Sequence, residues 1–331
     1  MKSLTKPIFG LGAGALILLG CLLVSVVYGT ADIPWSTIYQ SFIAFDGSRE
    51  HLIIQSVRLP RSLLAILVGA AVAVSGALMQ GVTRNPLADP TILGINAGAA
   101  FAVVVAIFQF GASTPNVYIW FAFAGAGVTA VSVYLLAALG AGGLTPLNLT
   151  ISGAAIASLL SSLTTAILIV SDRTLEEIRF WLAGSLAGRD GAIIVQILPY
   201  MCLGMILALV IAQKITILSL GEDVAQSLGQ DTLWVKLTAA LSILLLTGSA
   251  VAVAGAIGFL GLIIPHIVRF LVGLNYQLII PYSAVLGAII LLIADTTSRV
   301  IVQPQEIPVG IMTAFIGAPF FIYLAKTRMK K

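Results

Sequence analysis

The sequence predicts an all-α polytopic membrane protein in which residues 1–331 form a single transmembrane domain. Hydrophobic residues make up 59% of the chain and charged residues only 9%, and the mean hydropathy is +1.09. A soluble domain of this length would carry far more charge on its surface. Apolar runs long enough to cross a bilayer follow one another, and no soluble domain or low-complexity linker separates them.

Apolar runs of about 17–25 residues predict about ten transmembrane helices. They lie near residues 8–29, 62–82, 92–110, 117–139, 149–170, 192–212, 236–254, 256–272, 278–296 and 307–325. The first run is too long for the hydrophobic part of a cleaved signal peptide, so we expect it to remain as a span. An even number of spans puts both termini on one side of the membrane. The basic residues that assign this side to the cytoplasm are Lys2, Lys6, Lys326, Arg328, Lys330 and Lys331.

On this topology the basic residues of the outer side are all arginine. They are Arg49, Arg58, Arg61, Arg173, Arg179, Arg189 and Arg299. Because the planar guanidinium group matches a carboxylate, an acidic partner outside the membrane would explain this bias. Contacts with lipid head groups, or with the acids of the same face, account for some of these arginines.

A polar segment, Leu220–Gly229, interrupts the apolar sequence between the sixth and seventh predicted spans. Its apolar residues Leu220, Val224 and Leu228 recur every four positions, which puts them on one face of a helix. Glu222 and Asp223 would lie in the first turn, where the helix dipole favours negative charge. We expect this helix and a second short one through Trp234 to lie on the cytoplasmic face, where they suit a partner groove. A solvated loop is the alternative.

Two stretches resemble each other at an offset of 179 residues, Gly69–Ala77 and Gly248–Ala256. The same offset maps Pro86 onto Pro265, Gly94 onto Gly273 and Asn96 onto Asn275. The second and seventh spans run in opposite directions, so the match predicts an inverted repeat, a common symmetry of transporters.

Small residues and prolines mark the segments that would line or pack around a path through the membrane. Gly76 belongs to a small-residue face of the second span, which allows close helix packing. The segment Asn85–Pro90 carries two prolines and should be irregular. Pro265 would break a helix at membrane depth, which is tolerated only where protein or a cavity satisfies the carbonyl it frees.

The sequence offers no source of energy or catalysis within the chain. It has no Gly-Lys pair and therefore no P-loop, and it has no hydrolase or metalloprotease motif. Cys21, Cys202, His51 and His266 lack partners at metal-ligand spacing, so we expect no metal site. Carboxylates are scarce inside the predicted spans, where an ion-coupled carrier would need them. We therefore expect a chain that is not an enzyme and that is driven by a partner.

Several motifs along the chain resemble the FecCD-type permeases of ABC importers, which take up iron–siderophores, haem or cobalamin. The matching segments are Arg58–Arg61, Gly69–Gln80, Asn85–Pro90, Ser219–Gly229, Gly255–His266, Ala294–Asp295 with Arg299, and Pro308–Gly310 with Gly317–Pro319. The chain departs from the family at Gly143–Leu147. The resemblance implies ten spans per subunit, two subunits around one path, and a bacterial cytoplasmic membrane as the location.

The resemblance also implies partners and roles for individual residues. Residues that would couple to an ATPase subunit are Leu220, Gly221, Glu222, Asp223, Ala225, Leu228 and Gly229. Residues that would dock a substrate-binding protein are Arg58, Arg61 and Arg299. Residues that would line the path are Gly76, Gln80, Asn85, Pro86, Leu87 and Pro265. ATP and magnesium would bind the ATPase and no cofactor this chain, which would contact lipid but no nucleic acid.

Two questions stay open at the level of sequence. The second permease subunit is either a copy of this chain or a paralogue, and the cargo is an iron–siderophore, haem or cobalamin. A secondary carrier or channel that works alone is the alternative function.

Overall fold

The computed structural model describes residues 5–111, 115–140, 143 and 145–328, and this part of the chain is helical with no β-strand. The helices are α1 (Thr5–Val27), α2 (Trp35–Ile43), α3 (Arg49–Leu52), α4 (Leu59–Thr83), α5 (Ile95–Phe110), α6 (Pro115–Leu139), α7 (Pro146–Val170), α8 (Asp172–Leu182), α9 (Gly191–Leu218), α10 (Glu222–Ser227), α11 (Thr232–Ala254), α12 (Leu260–Val272), α13 (Tyr276–Val300) and α14 (Val309–Arg328). A π-helical turn, Ile53–Arg58, joins α3 to α4. Lys2, Lys330 and Lys331, which support the predicted cytoplasmic termini, and Leu144 lie outside the described residues.

Each predicted span coincides with an apolar helix. Seven helical segments are long and apolar enough to cross a membrane: α1, the continuous α3–α4 segment, α6, α7, α9, α11 and α13. The apolar parts of α5, α12 and α14 are shorter. The protein is therefore an integral membrane protein, whereas the count of ten spans stays a prediction.

Burial divides the helices into a centre and a periphery. In the apolar windows of α4 and α11, 78% and 72% of the residues are buried, compared with 11% for α1 and for α7. Because α4 and α11 are surrounded by protein on most sides, they form the centre of the bundle. The side chains of α1 and α7 are left to face lipid or another chain.

Glycines bring the central helices into close contact. Gly69 of α4 faces Gly287 of α13, and Gly76 of α4 faces Gly261 of α12. At each crossing a Cβ atom on the α4 glycine would collide with backbone atoms of the other helix. Small residues at such crossings let helices approach within backbone contact, where van der Waals packing holds them together in a membrane.

Two short helices, α5 and α12, each follow an irregular segment. Gly255 ends α11 with φ of 72°, and Phe259, with φ of 67°, precedes α12. Pro265 lies inside α12, so the predicted break at Pro265 is wrong, and the interruption falls at 255–259 instead. The predicted second short helix through Trp234 is also absent, because Asp231 caps α11 itself.

The residues paired by the 179-residue offset occupy different local structures. Gly76 lies inside α4, but its counterpart Gly255 ends α11. Pro86 lies in a turn, but its counterpart Pro265 lies inside a helix. Residues 69–75 and 248–254 are an exception, since both stretches are helical, in α4 and α11, and the inverted repeat stays a prediction.

Candidate functional site

The side of the bundle that carries α10, called the inner face here, displays the predicted coupling segment. Leu220 precedes α10, Gly221 has φ of 141° at its N-cap, and Gly229 has φ of 76° after its last turn. The three apolar residues of the stripe are exposed: Leu220 at 67%, Val224 at 42% and Leu228 at 66%. Ala225 is buried at 0% exposure. An apolar stripe left in solvent on a helix that is packed on its other side has the form of a docking surface.

The two acids of α10 have different surroundings. The Glu222 carboxylate accepts hydrogen bonds from Lys236 Nζ at 2.5 Å and from Thr232 Oγ1 at 3.1 Å. These bonds, with that from Lys236 the strongest, lower the pKa of Glu222 and keep it ionised. Asp223 is exposed and makes no ion pair among the described residues. Glu222 therefore fixes α10 to α11, and Asp223 is the acid that faces outward.

The side chain of Gln80 links α4 to α12 and satisfies the carbonyl that Pro265 frees. Pro265 has no N–H for the Gly261 carbonyl four residues earlier. Gln80 Nε2 lies 3.2 Å from that oxygen and 3.2 Å from the Leu262 oxygen. Gln80 Oε1 accepts a hydrogen bond from Arg269 Nη2 at 2.5 Å. The protein thus supplies the partner that a membrane-buried proline requires.

The structure does not bring the predicted path residues together along one open channel. Gly76 and Pro265 are buried, and Gly76 is closed off by the backbone of Gly261. Their place in the path lining stays a prediction, because the structure describes a single chain in one conformation. Gln80 and Pro86 line a cleft at the inner face. Asn85 is exposed and Leu87 half-buried in the turn after α4.

The three outer arginines expected to dock a partner lie at the opposite end of α4, and all are buried. Arg58, Arg61 and Arg299 are 4%, 6% and 2% exposed. Arg61 forms an ion pair with Asp295 at 2.9 Å and another with Glu306 at 2.7 Å. Arg299 Nη2 lies 3.3 Å from the other Asp295 oxygen. One buried carboxylate is therefore shared by two guanidinium groups, which compensates its desolvation.

Arg58 and Arg299 also cap the end of α1. Arg58 Nη1 donates to Val26 O at 2.9 Å and to Val27 O at 2.5 Å. Arg299 Nη1 lies 3.2 Å from Ser25 O. The last carbonyls of a helix have no partner within it, and cations are favourable there. The buried arginines thus tie α1, α4 and α13 together, and docking through them stays a prediction that requires these bonds to open.

Exposed arginines on the outer face lie elsewhere. Arg49, Arg173 and Arg179 are exposed, and the side chain of Arg173 is 71% exposed beside Glu177. Arg179 stacks over Phe180 with 4.9 Å between the guanidinium carbon and the ring centroid. These arginines are exposed on the surface of the described chain.

Helix α7 carries a stripe of small and hydroxyl-bearing residues that was not predicted from the sequence. Its exposed residues include Thr150, Ala154, Ser158, Ser161 and Thr165, which recur at intervals of three or four. That spacing places them on one side of the helix. The hydroxyl groups of Thr150 and Thr165 donate to carbonyls one turn earlier in α7, so they are satisfied against lipid as well as at a wet path or a second subunit. The recurrence was visible in the sequence, but the exposure of this side was not.

No group of three or more His, Cys, Asp or Glu side chains suited to a metal ion occurs within residues 5–111, 115–140, 143 and 145–328. Cys21 and Cys202 are free thiols. His266 packs edge-on against Phe270 and Phe320. Cys202 is exposed and Cys21 is half-buried.

Comparison with known proteins gives one consistent result. Residues 16–327 match the FecCD transport family. The chain is 48% identical over 314 residues to the Bacillus subtilis protein named "Probable siderophore transport system permease protein YfiZ", with 95% of this chain and 94% of that protein covered. It is 44% identical to the Fe(3+)-citrate import system permease protein YfmD of Bacillus subtilis, covering 96% and 91%. A metal-chelate type ABC transporter solved in an inward-facing conformation superposes with a TM-score of 0.83 at 32% identity, covering 96% of this chain and 98% of that one.

Proposed function

The chain belongs to the FecCD transport family, and from this premise we propose that it is the membrane-spanning permease subunit of an ATP-driven importer of ferric chelates. It is a transport subunit and not an enzyme. The relatives that span nearly its whole length are named as permeases for siderophores and for ferric citrate. Iron bound to such a chelator is the cargo, and haem and cobalamin are the further candidates.

The observation that carries the proposal is the exposed coupling surface on the inner face, formed by Leu220, Asp223, Val224 and Leu228. Three apolar side chains in solvent beside one free carboxylate suit a cleft on an ATPase subunit. ATP and magnesium bind that partner. Because Glu222 and Ala225 fix α10 to the bundle, a movement of the ATPase is passed to the membrane helices as the movement of a rigid element.

The outer face receives the cargo from a substrate-binding protein. Exposed Arg173 and Arg179 make the first contacts with its acids. Arg61 contacts the substrate-binding protein only when its ion pair with Glu306 dissociates. The Glu306 side chain is 29% exposed. The inner face lies in the cytoplasm of a bacterial cell, and both termini lie on that side.

The path runs between two permease subunits. The sparsely buried helix α7 and its hydroxyl stripe, from Thr150 to Thr165, face this path. The second subunit is a copy of this chain or a paralogue, and the stripe provides a polar wall in either case.

Co-purification with the ATPase tests the coupling surface. Asp223→Lys together with Leu228→Glu should abolish recovery of the ATPase, because both changes fall on the exposed side of α10 and leave its packing intact. Gln277→Lys, on the inner face at the start of α13 and exposed, is the matched control. Full recovery of the ATPase with the double variant would refute this surface. A carrier or channel that works alone would show no ATPase with any variant.

A further inference from the structure

A cleft of about 430 Å³ opens on the inner face beside the coupling segment. It lies where the inner ends of α4, α9, α12 and α13 meet, and its walls include Arg84, Arg269 and His266. No carboxylate lines it among the described residues. Its volume falls in the range of about 300–1,000 Å³ that is usual for ligand sites. Two predicted path residues, Gln80 and Pro86, also line it, but its two arginines have no part in the proposed path or coupling surface.

The cleft concentrates positive charge. Neither Arg84 nor Arg269 forms an ion pair in the described part of the chain. Within the described residues, Arg269 donates to the amide oxygen of Gln80. Glu222 interacts electrostatically with Arg84, but its carboxylate is bonded to Lys236.

An apolar surface borders the two cations. Phe270 is 79% exposed and Leu274 is 68% exposed, and both belong to the cleft lining. Leu271 beside them is 66% exposed. These apolar side chains would contribute no binding free energy to a free inorganic anion. A ligand with a phosphate at one end and hydrocarbon at the other contacts both parts, and basic pockets between helices at the inner leaflet bind anionic lipids in this way.

We propose that this cleft binds the head-group phosphate of an anionic phospholipid, with Arg84 and Arg269 on the phosphate and the acyl chains along Phe270, Leu271 and Leu274. Arg269 also holds Gln80, which satisfies the carbonyl freed by Pro265. The lipid therefore braces the α4–α12 crossing next to the coupling surface. This inference needs the membrane but not the identity of the cargo or of any partner.

The test measures lipid retained by the full chain in nanodiscs of phosphatidylcholine that contain phosphatidylglycerol. Native mass spectrometry should show phosphatidylglycerol retained by the wild type. Retention should fall about tenfold or more in Arg84→Gln with Arg269→Gln, because each cation near a lipid phosphate contributes about 1 kcal/mol. Lys214→Gln is the matched control, since Lys214 is a basic residue near the inner face that stacks on Trp234 at 4.1 Å.

Arg84→Gln alone keeps the test independent of folding, because Arg84 is exposed and its side chain holds no hydrogen bond in the described structure. A partial loss of phosphatidylglycerol in this variant supports the site. Equal retention by the wild type and the double variant would overturn it. The proposal would also be overturned if inorganic phosphate in pure phosphatidylcholine nanodiscs stabilised the wild type as much as phosphatidylglycerol does. That result would indicate a site for free anions. The lipid-retention experiment contains no ATPase and no iron chelate. A negative result would therefore not bear on the proposed transport function.

Discussion

A single glutamine explains how the centre of the bundle tolerates a proline. Pro265 leaves the Gly261 carbonyl without its helical donor, and Gln80 Nε2 supplies one from the neighbouring helix. Gln80 is 2% exposed, and its oxygen is used by Arg269. All hydrogen-bonding groups of this amide therefore act at the junction of α4 and α12.

Gln80→Leu should destabilise the protein by about 2–4 kcal/mol. The change removes the donor of two buried carbonyls and the acceptor of a guanidinium group, and each buried group left without a partner costs about 1–3 kcal/mol. Thermal unfolding in detergent measures the loss. Gln277→Leu, at an exposed position, should leave the transition unchanged, and equal stability of the two variants would contradict this role of Gln80.

Asp295 holds two arginines that lie far from each other in the sequence. It is 0% exposed and pairs with Arg61 and Arg299. Asp295→Asn should cost about 3–5 kcal/mol, because it leaves two buried cations with too little negative charge. Glu177→Gln breaks only the exposed pair with Arg173 and should cost at most about 0.5 kcal/mol. Comparable losses in the two variants would refute the buried charge cluster.

At the scale of elements, the crossing of α4 and α12 depends on the absence of side chains. A Cβ atom on Gly76 would fall on the backbone of Gly261, whereas Gly127 of α6 has no heavy atom within 4 Å of its Cβ position. Gly76→Ala should therefore destabilise by about 2–3 kcal/mol, because one of the helices must move. Gly127→Ala should be neutral or stabilising by up to about 1 kcal/mol, since alanine is the better helix former. The thermal unfolding midpoints of the two variants test this prediction. If the Gly76→Ala variant were as stable as the wild type, α4 and α12 would not be in backbone contact.

The sequence predicts the helices well because the hydrocarbon of the membrane permits few backbone conformations. A backbone that crosses hydrocarbon must satisfy its own polar groups, so an apolar run of sufficient length becomes a helix. The same rule predicts that the carbonyl freed by Pro265 needs a partner. It does not predict that Gln80, more than 180 residues earlier, provides it. Contacts across the bundle depend on how the helices pack against each other. The hydrophobic periodicity of a single helix gives no information about its neighbours.

The docking assignments show the same limit. The stripe at Leu220, Val224 and Leu228 is exposed as its spacing suggests, but the spacing could not separate Glu222, which is bonded to Lys236, from Asp223, which is free. Nor could charge alone show that Arg58 and Arg299 cap α1. The path residues were chosen as small or helix-breaking, and Gly76 is small because another backbone touches it.

At the scale of the whole molecule, the described chain is a bundle with a well-packed centre and an open side. The centre is formed by α4 and α11, and α7 lies at the edge with its hydroxyl stripe uncovered. In the proposed function, such a subunit forms one half of a path and presents one surface to an ATPase. In the proposed importer, a second permease subunit forms the other half of the path, and an ATPase supplies the driving force.

The most direct test of this account is accumulation of a ferric siderophore in proteoliposomes. Vesicles that contain the permease, its binding protein and its ATPase should accumulate the chelate when ATP is supplied on the ATPase side. Vesicles without the ATPase, or with Asp223→Lys and Leu228→Glu in the permease, should not concentrate it. Accumulation against a gradient by the permease alone would contradict the claim that its driving force arrives through the inner face.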